Sequence, residues 1–238
     1  MKVARRTIGN LARRLQVGLR TRLEIILDWT ACGEFQILSA LIGLEGRAVP
    51  VLQWSVRKWE FRTSQNAFEY EMLRCLRRLI PRAQPTTIVA DRGFGRTELF
   101  RFLDELGFGY CIRIKGDAWT EFAGYAGPLK AYPVQVGQTF KLASVRSHKR
   151  QRYALKLVIN CARITGTVST WLLATNLPDQ ARCIVDVYRR RFWCEEAFRD
   201  QKQAFKLEAV RVTTAERLDN LLLALALVFF ILACIGRA

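Results

Sequence analysis

A single histidine, His148, stands in a chain of 238 residues. Zinc sites built on imidazole, and Ser-His or Cys-His catalysis, therefore have little to draw on. Cysteine is present but unpaired in pattern: residues 32, 75, 111, 161, 183, 194 and 234 include no C-x-x-C. An odd, scattered set argues against a disulfide framework and for a reducing compartment. Acidic residues are few, 21 against 38 basic ones, which leaves a formal charge of +17. That excess calls for a polyanionic partner, since each neutralised phosphate releases counterions. The N-terminus has no continuous apolar segment, so a secretory signal is not expected. Near the C-terminus the apolar run Leu221–Gly236 is 16 residues long. It falls short of the roughly 20 that a bilayer span needs and reads as a core helix, with no membrane partner. Repeats and low-complexity tracts are lacking too. What remains for chemistry is carboxylate.

Half of the residues are hydrophobic, enough for one sizeable core. Residues 2–22 carry seven bases and no acid, so 1–22 reads as a basic arm or helix, either a DNA contact or a solvated face. From there RLEIILDWTAC is apolar and β-branched, a strand delivering Asp28 near its end. FQILSALIGLEG and RAVPVLQWSV follow as a hairpin with Gly46 at the turn. Phe68, Met72, Leu76 and Leu79 predict a helix over 65–80, stopped by Pro81. TTIVAD is a strand ending on Asp91, a helix is expected over 96–106, and FGYCIRIK is a further strand. Gly, Pro and short alternating pieces mark 116–170 as a β-rich insertion, after which helices are expected over 179–206 and 214–235. Residues 23–115 and 171–238 are then the two parts of one α/β domain. Its element order is that of the ribonuclease H-like fold, a mixed sheet flanked by helices.

Asp28 and Asp91 each lie at the end of an apolar strand, before a polar or Gly-containing turn. Each Asp, taken alone, equally suits a turn or a helix cap. Two carboxylates held close together raise each other's pKa, and a hard divalent ion relieves that conflict. A third group joins them in YRRRFWCEEAFRDQK, residues 188–202. At 100° per residue, Tyr188, Arg191, Glu195 and Lys202 fall within a stripe of about 60°, whereas Glu196 points elsewhere. Carboxylate for metal, cations for phosphate and a phenol for hydrogen bonding together suit a phosphodiester site.

The spacing Y-x2-R-x3-E-x6-K resembles the signature of DDE transposases of the insertion-sequence-four family. ILDWT around Asp28, ADRGF around Asp91 and WLLAT at 171–175 resemble that family as well, and the likeness covers about residues 22–236. It implies that Asp28, Asp91 and Glu195 bind two Mg²⁺ or Mn²⁺ ions for cleavage at element ends and transfer of the 3′-hydroxyl to target DNA. A hairpin intermediate is one route among relatives. Tyr188, Arg191 and Lys202 would contact the DNA backbone. Trp171 would stack a flipped base or serve the core, and Arg92 would touch phosphate or a neighbouring acid. Double-stranded DNA is the implied partner, with a homodimer forming on it, in the bacterial cytoplasm at the nucleoid. Relatives carry an N-terminal domain that reads terminal repeats, whereas 27 residues precede Asp28 here. The expectation is a fragment, a decayed copy or a compact catalytic unit. Three rivals stand beside this reading: another ribonuclease H-like nuclease, an idle DNA-binding remnant that inhibits a full-length transposase, and a membrane-attached basic protein, which rests on residues 221–236 alone.

Overall fold

LEIILDWTAC, rich in β-branched and aromatic residues, forms strand β1 (Leu23–Cys32) and pairs antiparallel with β2 (Phe35–Leu44). β2 in turn pairs antiparallel with β3 (Arg47–Arg57), so the three make the expected meander. Gly46, at φ 87, takes the left-handed conformation that the β2–β3 turn requires. Asp28 lies inside β1 rather than near its end. Trp29 and Thr30 carry the ladder onward opposite Leu38 and Ile37, to Cys32 opposite Phe35. The computed structural model describes residues 22–44, 46–148, 150, 152–164 and 166–235; of 61–64 and 164 it describes the backbone alone. The basic segment expected over 1–22 therefore lies, except for Arg22, outside the described residues.

The chain divides into two compact units, one running up to Thr86 and resuming at Arg190, the other Thr87–Arg189. In the first unit, helix α1 (Lys58–Leu79) begins earlier than the expected 65 and buries Met72, Leu73 and Leu76. It stops at Ile80, whose extended conformation suits the residue before Pro81. Trp29, on the face of β1 opposite Asp28, donates its indole N–H to the buried Glu69 of α1 at 2.9 Å.

The last helix of this unit, Ala215–Ile235, packs its first half on β3. Asp219 accepts from the Ser55 backbone N–H at 2.8 Å and from the Ser55 hydroxyl at 2.9 Å. Leu218, Leu222 and Leu225 share a cluster with Cys32, Phe35 and Ile37. The second half departs from the core helix expected over 221–236, for Ile231, Leu232 and Ile235 are each more than half exposed. Among the described residues this is the one helix long and apolar enough to cross a membrane.

The second unit takes in all but the first residue of β4 (Thr86–Ala90), helix α2 (Thr97–Glu105) and β5 (Gly109–Arg113), with β5 parallel to β4. β6 (Trp119–Phe122), β7 (Tyr125–Pro128), β8 (Thr139–Ser147), β9 (Tyr153–Ile164) and β10 (Thr167–Thr175) follow, all in antiparallel pairs. Their order from β4 is β4-β5-β10-β9-β8-β6-β7. The stretch expected as an insertion over 116–170 is thus rich in strands, but its far border falls inside β10. That strand hydrogen-bonds to β5 as well as β9 and joins the stretch to the rest of the sheet. Helix α3 (Ala181–Arg189) closes the unit. The molecule is mixed α/β, with the strand-strand-strand-helix-strand-helix-strand order of a ribonuclease H-like fold.

Candidate active site

Side chains alternate across a strand, so Glu24, Ile26 and Asp28 line one face of β1. A tight segment covers that row: a 3₁₀ turn (Arg190–Phe192) that runs into helix α4 (Trp193–Arg199). Arg190 grips Glu24 with both arms of its guanidinium, Nε to Oε2 at 2.6 Å and Nη2 to Oε1 at 2.5 Å. Ile26 packs in a cluster with Cys194, Ala197 and Phe198 of α4. Arg191 donates through Nη1 to Asp28 Oδ2 at 3.0 Å and through Nη2 to Glu195 Oε1 at 2.7 Å. One guanidinium therefore bridges the two carboxylates. The ring of Trp193 lies close over Gly43 of β2, where an added Cβ would come within 2.7 Å of ring carbon Cε3. Only a glycine lets α4 settle so near the sheet.

The signature segment is not the continuous helix expected over 179–206. α3 ends at Arg189, the 3₁₀ turn and α4 follow, and Asp200–Ala204 is a π-helical turn. A uniform 100° spiral therefore does not describe it. The ion pairs that draw two consecutive arginines onto β1 outweigh local helix geometry, as such breaks often do at functional sites. Glu195 faces Arg191, whereas Glu196 is engaged by Arg199 at 2.8 Å. Lys202 sits on the π turn with Nζ 3.4 Å from Glu208. That turn is anchored beneath by buried polar groups. Gln201 donates to Gln53 at 3.4 Å, and Gln53 donates at 2.9 Å to Ser39, the cross-strand neighbour of Asp28.

In the second unit Asp91 directly follows β4. Its Oδ1 accepts the Gly93 N–H at 2.8 Å, and its carbonyl accepts the Phe94 N–H at 3.1 Å. Gly95 presses against β5, since a Cβ there would stand 2.8 Å from the Arg113 carbonyl oxygen. Exposed Arg92 opens onto a cleft of about 470 Å³ whose walls include Arg113, Lys115, Lys130 and Thr170. Four cations around one cleft suit a phosphodiester backbone. Trp171 and Tyr188 are both buried and meet edge to face, ring centroids 5.1 Å apart. Of the two roles expected for Trp171, its placement matches that of a core residue, and a base could stack on it only after the ring is uncovered.

Sequence reasoning missed Glu24, Arg190, Cys194 and Gln201. A signal for the first pair was available, because Glu24 and Asp28 share β1's two-residue period while Arg190 and Arg191 are adjacent. Cys194 is fully buried, and its thiol donates to Asp28 Oδ2 at 3.3 Å. Burial first, and the Asp28 carboxylate second, push that thiol far above its ordinary range, so it stays protonated. Asp28 and Glu195 supply the hard oxygen donors that Mg²⁺ or Mn²⁺ prefers, and they already share a cation in Arg191. The donor chemistry fits a divalent ion. Among the described residues, no three His, Cys, Asp or Glu side chains gather as a metal-binding cluster. Residues 63–231 match the model of a family described as the transposase DDE domain. No curated protein matches the chain.

Proposed function

The chain belongs to the transposase DDE domain family, and from that premise we propose that it is the catalytic core of an insertion-sequence-four type transposase. Membership makes DNA its partner and divalent metal ions the general cofactor of its chemistry. The finer reading assigns Asp28, Asp91 and Glu195 as ligands of two Mg²⁺ or Mn²⁺ ions. The observation that carries it is the Arg191 bridge: two acidic groups, from β1 and α4, brought to a single shared cation. The chemistry that such ions supply when bound is polarisation of the scissile phosphate and of the attacking hydroxyl.

The protein's own groups bind and orient. Arg191, once released from the carboxylates, is a two-armed donor for a phosphate, and Lys202 is a point charge on the π-helical turn that follows α4. In the second unit, Arg92 and the cations of its cleft hold DNA backbone. The formal charge of +17 draws DNA to all of them. Tyr188 and Trp171 enter this reading as a pair, able to receive an extruded base only when the edge-to-face contact opens. The active assembly is a homodimer on paired DNA ends, in the bacterial cytoplasm at the nucleoid.

A labelled duplex carrying a free 3′-hydroxyl at the element end, mixed with supercoiled target and Mg²⁺, tests the reading. Joined products are expected. Cut ends with no joining would make the protein a ribonuclease H-like nuclease instead, and DNA retention with neither product would make it an idle remnant.

A further inference from the structure

We propose that Cys194 is a positioning residue for the Asp28 carboxylate, its buried thiol fixing the orientation in which Asp28 meets a divalent cation. This rests on the reading of Asp28 and Glu195 as cation ligands. Donors from β1, from the 3₁₀ turn and from α4 hold the Asp28 carboxylate. Oδ1 accepts the Trp29 backbone N–H at 2.9 Å, and Oδ2 accepts from Arg191 at 3.0 Å and from Cys194 at 3.3 Å. These donors differ in permanence. Arg191 also serves Glu195 and is the group that a DNA phosphate would attract. Cys194 is held differently: its sulfur also accepts from Arg191 Nη1 at 3.9 Å, but Ile26, Leu41, Ala48, Ala197 and Phe198 enclose its side chain in an apolar cluster that does not depend on the guanidinium. Its side chain is held by packing, so the S–H stays aimed at Oδ2 when the guanidinium turns away. A thiol is a weak donor, yet here it is dry and faces a charged acceptor, where a hydrogen bond counts for most.

Packing alone would also account for a buried cysteine before Glu195, and two substitutions separate the roles. Valine keeps the apolar volume and removes the donor; serine keeps a donor and adds polarity to an apolar cluster. Binding of Mn²⁺ to the DNA-free full chain, followed by the electron paramagnetic resonance of the unbound ion, reads the difference. Cys194→Val is expected to weaken Mn²⁺ binding about tenfold, at the lower end of what loss of a hydrogen bond to a metal ligand costs. Cys194→Ser is expected to recover most of that loss, although it unfolds at lower urea. A packing role predicts the reverse order, with valine binding as wild type and serine worse, and that order overturns the proposal. If the valine variant does not fold, Cys194→Ala removes the donor without added bulk and carries the same comparison with serine. Asp28→Asn marks the underlying reading. Unchanged Mn²⁺ binding in that variant sinks the ligand assignment itself, whereas weaker binding there with no effect in Cys194→Val sinks the positioning role alone.

Discussion

Replacing Arg191 by methionine is expected to cost roughly 2–4 kcal/mol of folding stability in a chelating buffer, and clearly less in Mg²⁺. The guanidinium is about nine-tenths buried, and its partner Asp28 is nearly as well covered, with 16% of its side chain exposed. Methionine fills a similar volume but leaves Asp28 beside Glu195 without the shared positive charge. Like charges left together in a partly dry site destabilise the folded state, and partial exposure of Glu195 keeps the figure below that of a fully buried pair. A divalent ion on the same carboxylates restores the balance, so the deficit shrinks as Mg²⁺ is added. Urea denaturation of both proteins, with and without the metal, reads this. An equal deficit in both buffers would mean that the cation does not bind at Asp28 and Glu195. Cleavage is expected to fall at least about a hundredfold even at saturating Mg²⁺, because an electrostatic donor to the reacting phosphate is gone.

Glu24→Ala is expected to be nearly as damaging to stability, at roughly 2–3 kcal/mol, although Glu24 touches no reacting group. Its side chain is only 8% exposed and accepts both arms of Arg190, so alanine strands a guanidinium that is itself 23% exposed. The double variant Glu24→Ala, Arg190→Met should recover a large part of that loss, since an apolar pair in the same space leaves no charge unpaired. Denaturation midpoints of the two single variants and the double variant form the cycle. Strictly additive losses would mean that the pair does not couple. Activity should follow a different course. Arg191 is the next residue in the chain, so releasing Arg190 loosens the 3₁₀ turn and lowers turnover in the double variant even where stability returns.

The β-meander was legible because apolar and β-branched residues recur in runs broken by Gly33 and Gly46, both at positive φ. α1 and α2 were legible from helical spacing and from the stops at Pro81 and Gly107. Other features depend on contacts between distant parts of the chain. β1 was read over its full length, but Asp28 sits mid-strand rather than near the end, because β2 pairs with Trp29 through Cys32 as fully as with the residues before Asp28. The breaks at Arg190 and Asp200 follow from an ion pair and from a buried amide whose partners lie 166 and 148 residues away in sequence. Local periodicity, which assumes one uniform helix, has no access to them. The last helix misled in the opposite sense: its apolar run is uniform, but Ile231, Leu232 and Ile235 are left more than half exposed.

The candidate site divides in the same way. The carboxylates Asp28 and Glu195 could be named from residue type and spacing, because hard-cation chemistry requires acids and the signature spacing marks which ones. The groups that hold them could not. Cys194 reads as one more scattered thiol until it is seen against Asp28, and Glu24 reads as an acid at the start of a strand until Arg190 reaches it. Trp171 and Tyr188, named for DNA contact, are mutual core neighbours in the folded unit.

The most direct measurement of the central claim is Mg²⁺-dependent cleavage of a pre-nicked element end by Glu195→Gln, run beside salt-dependent DNA binding by the same protein. Glutamine preserves size and removes the charge that a cation needs. Cleavage should vanish while binding stays near wild type and retains its salt dependence, since the bases that contact phosphate are untouched. Cleavage that survives the substitution would contradict the account, because Glu195 could then not be a ligand of the catalytic metal.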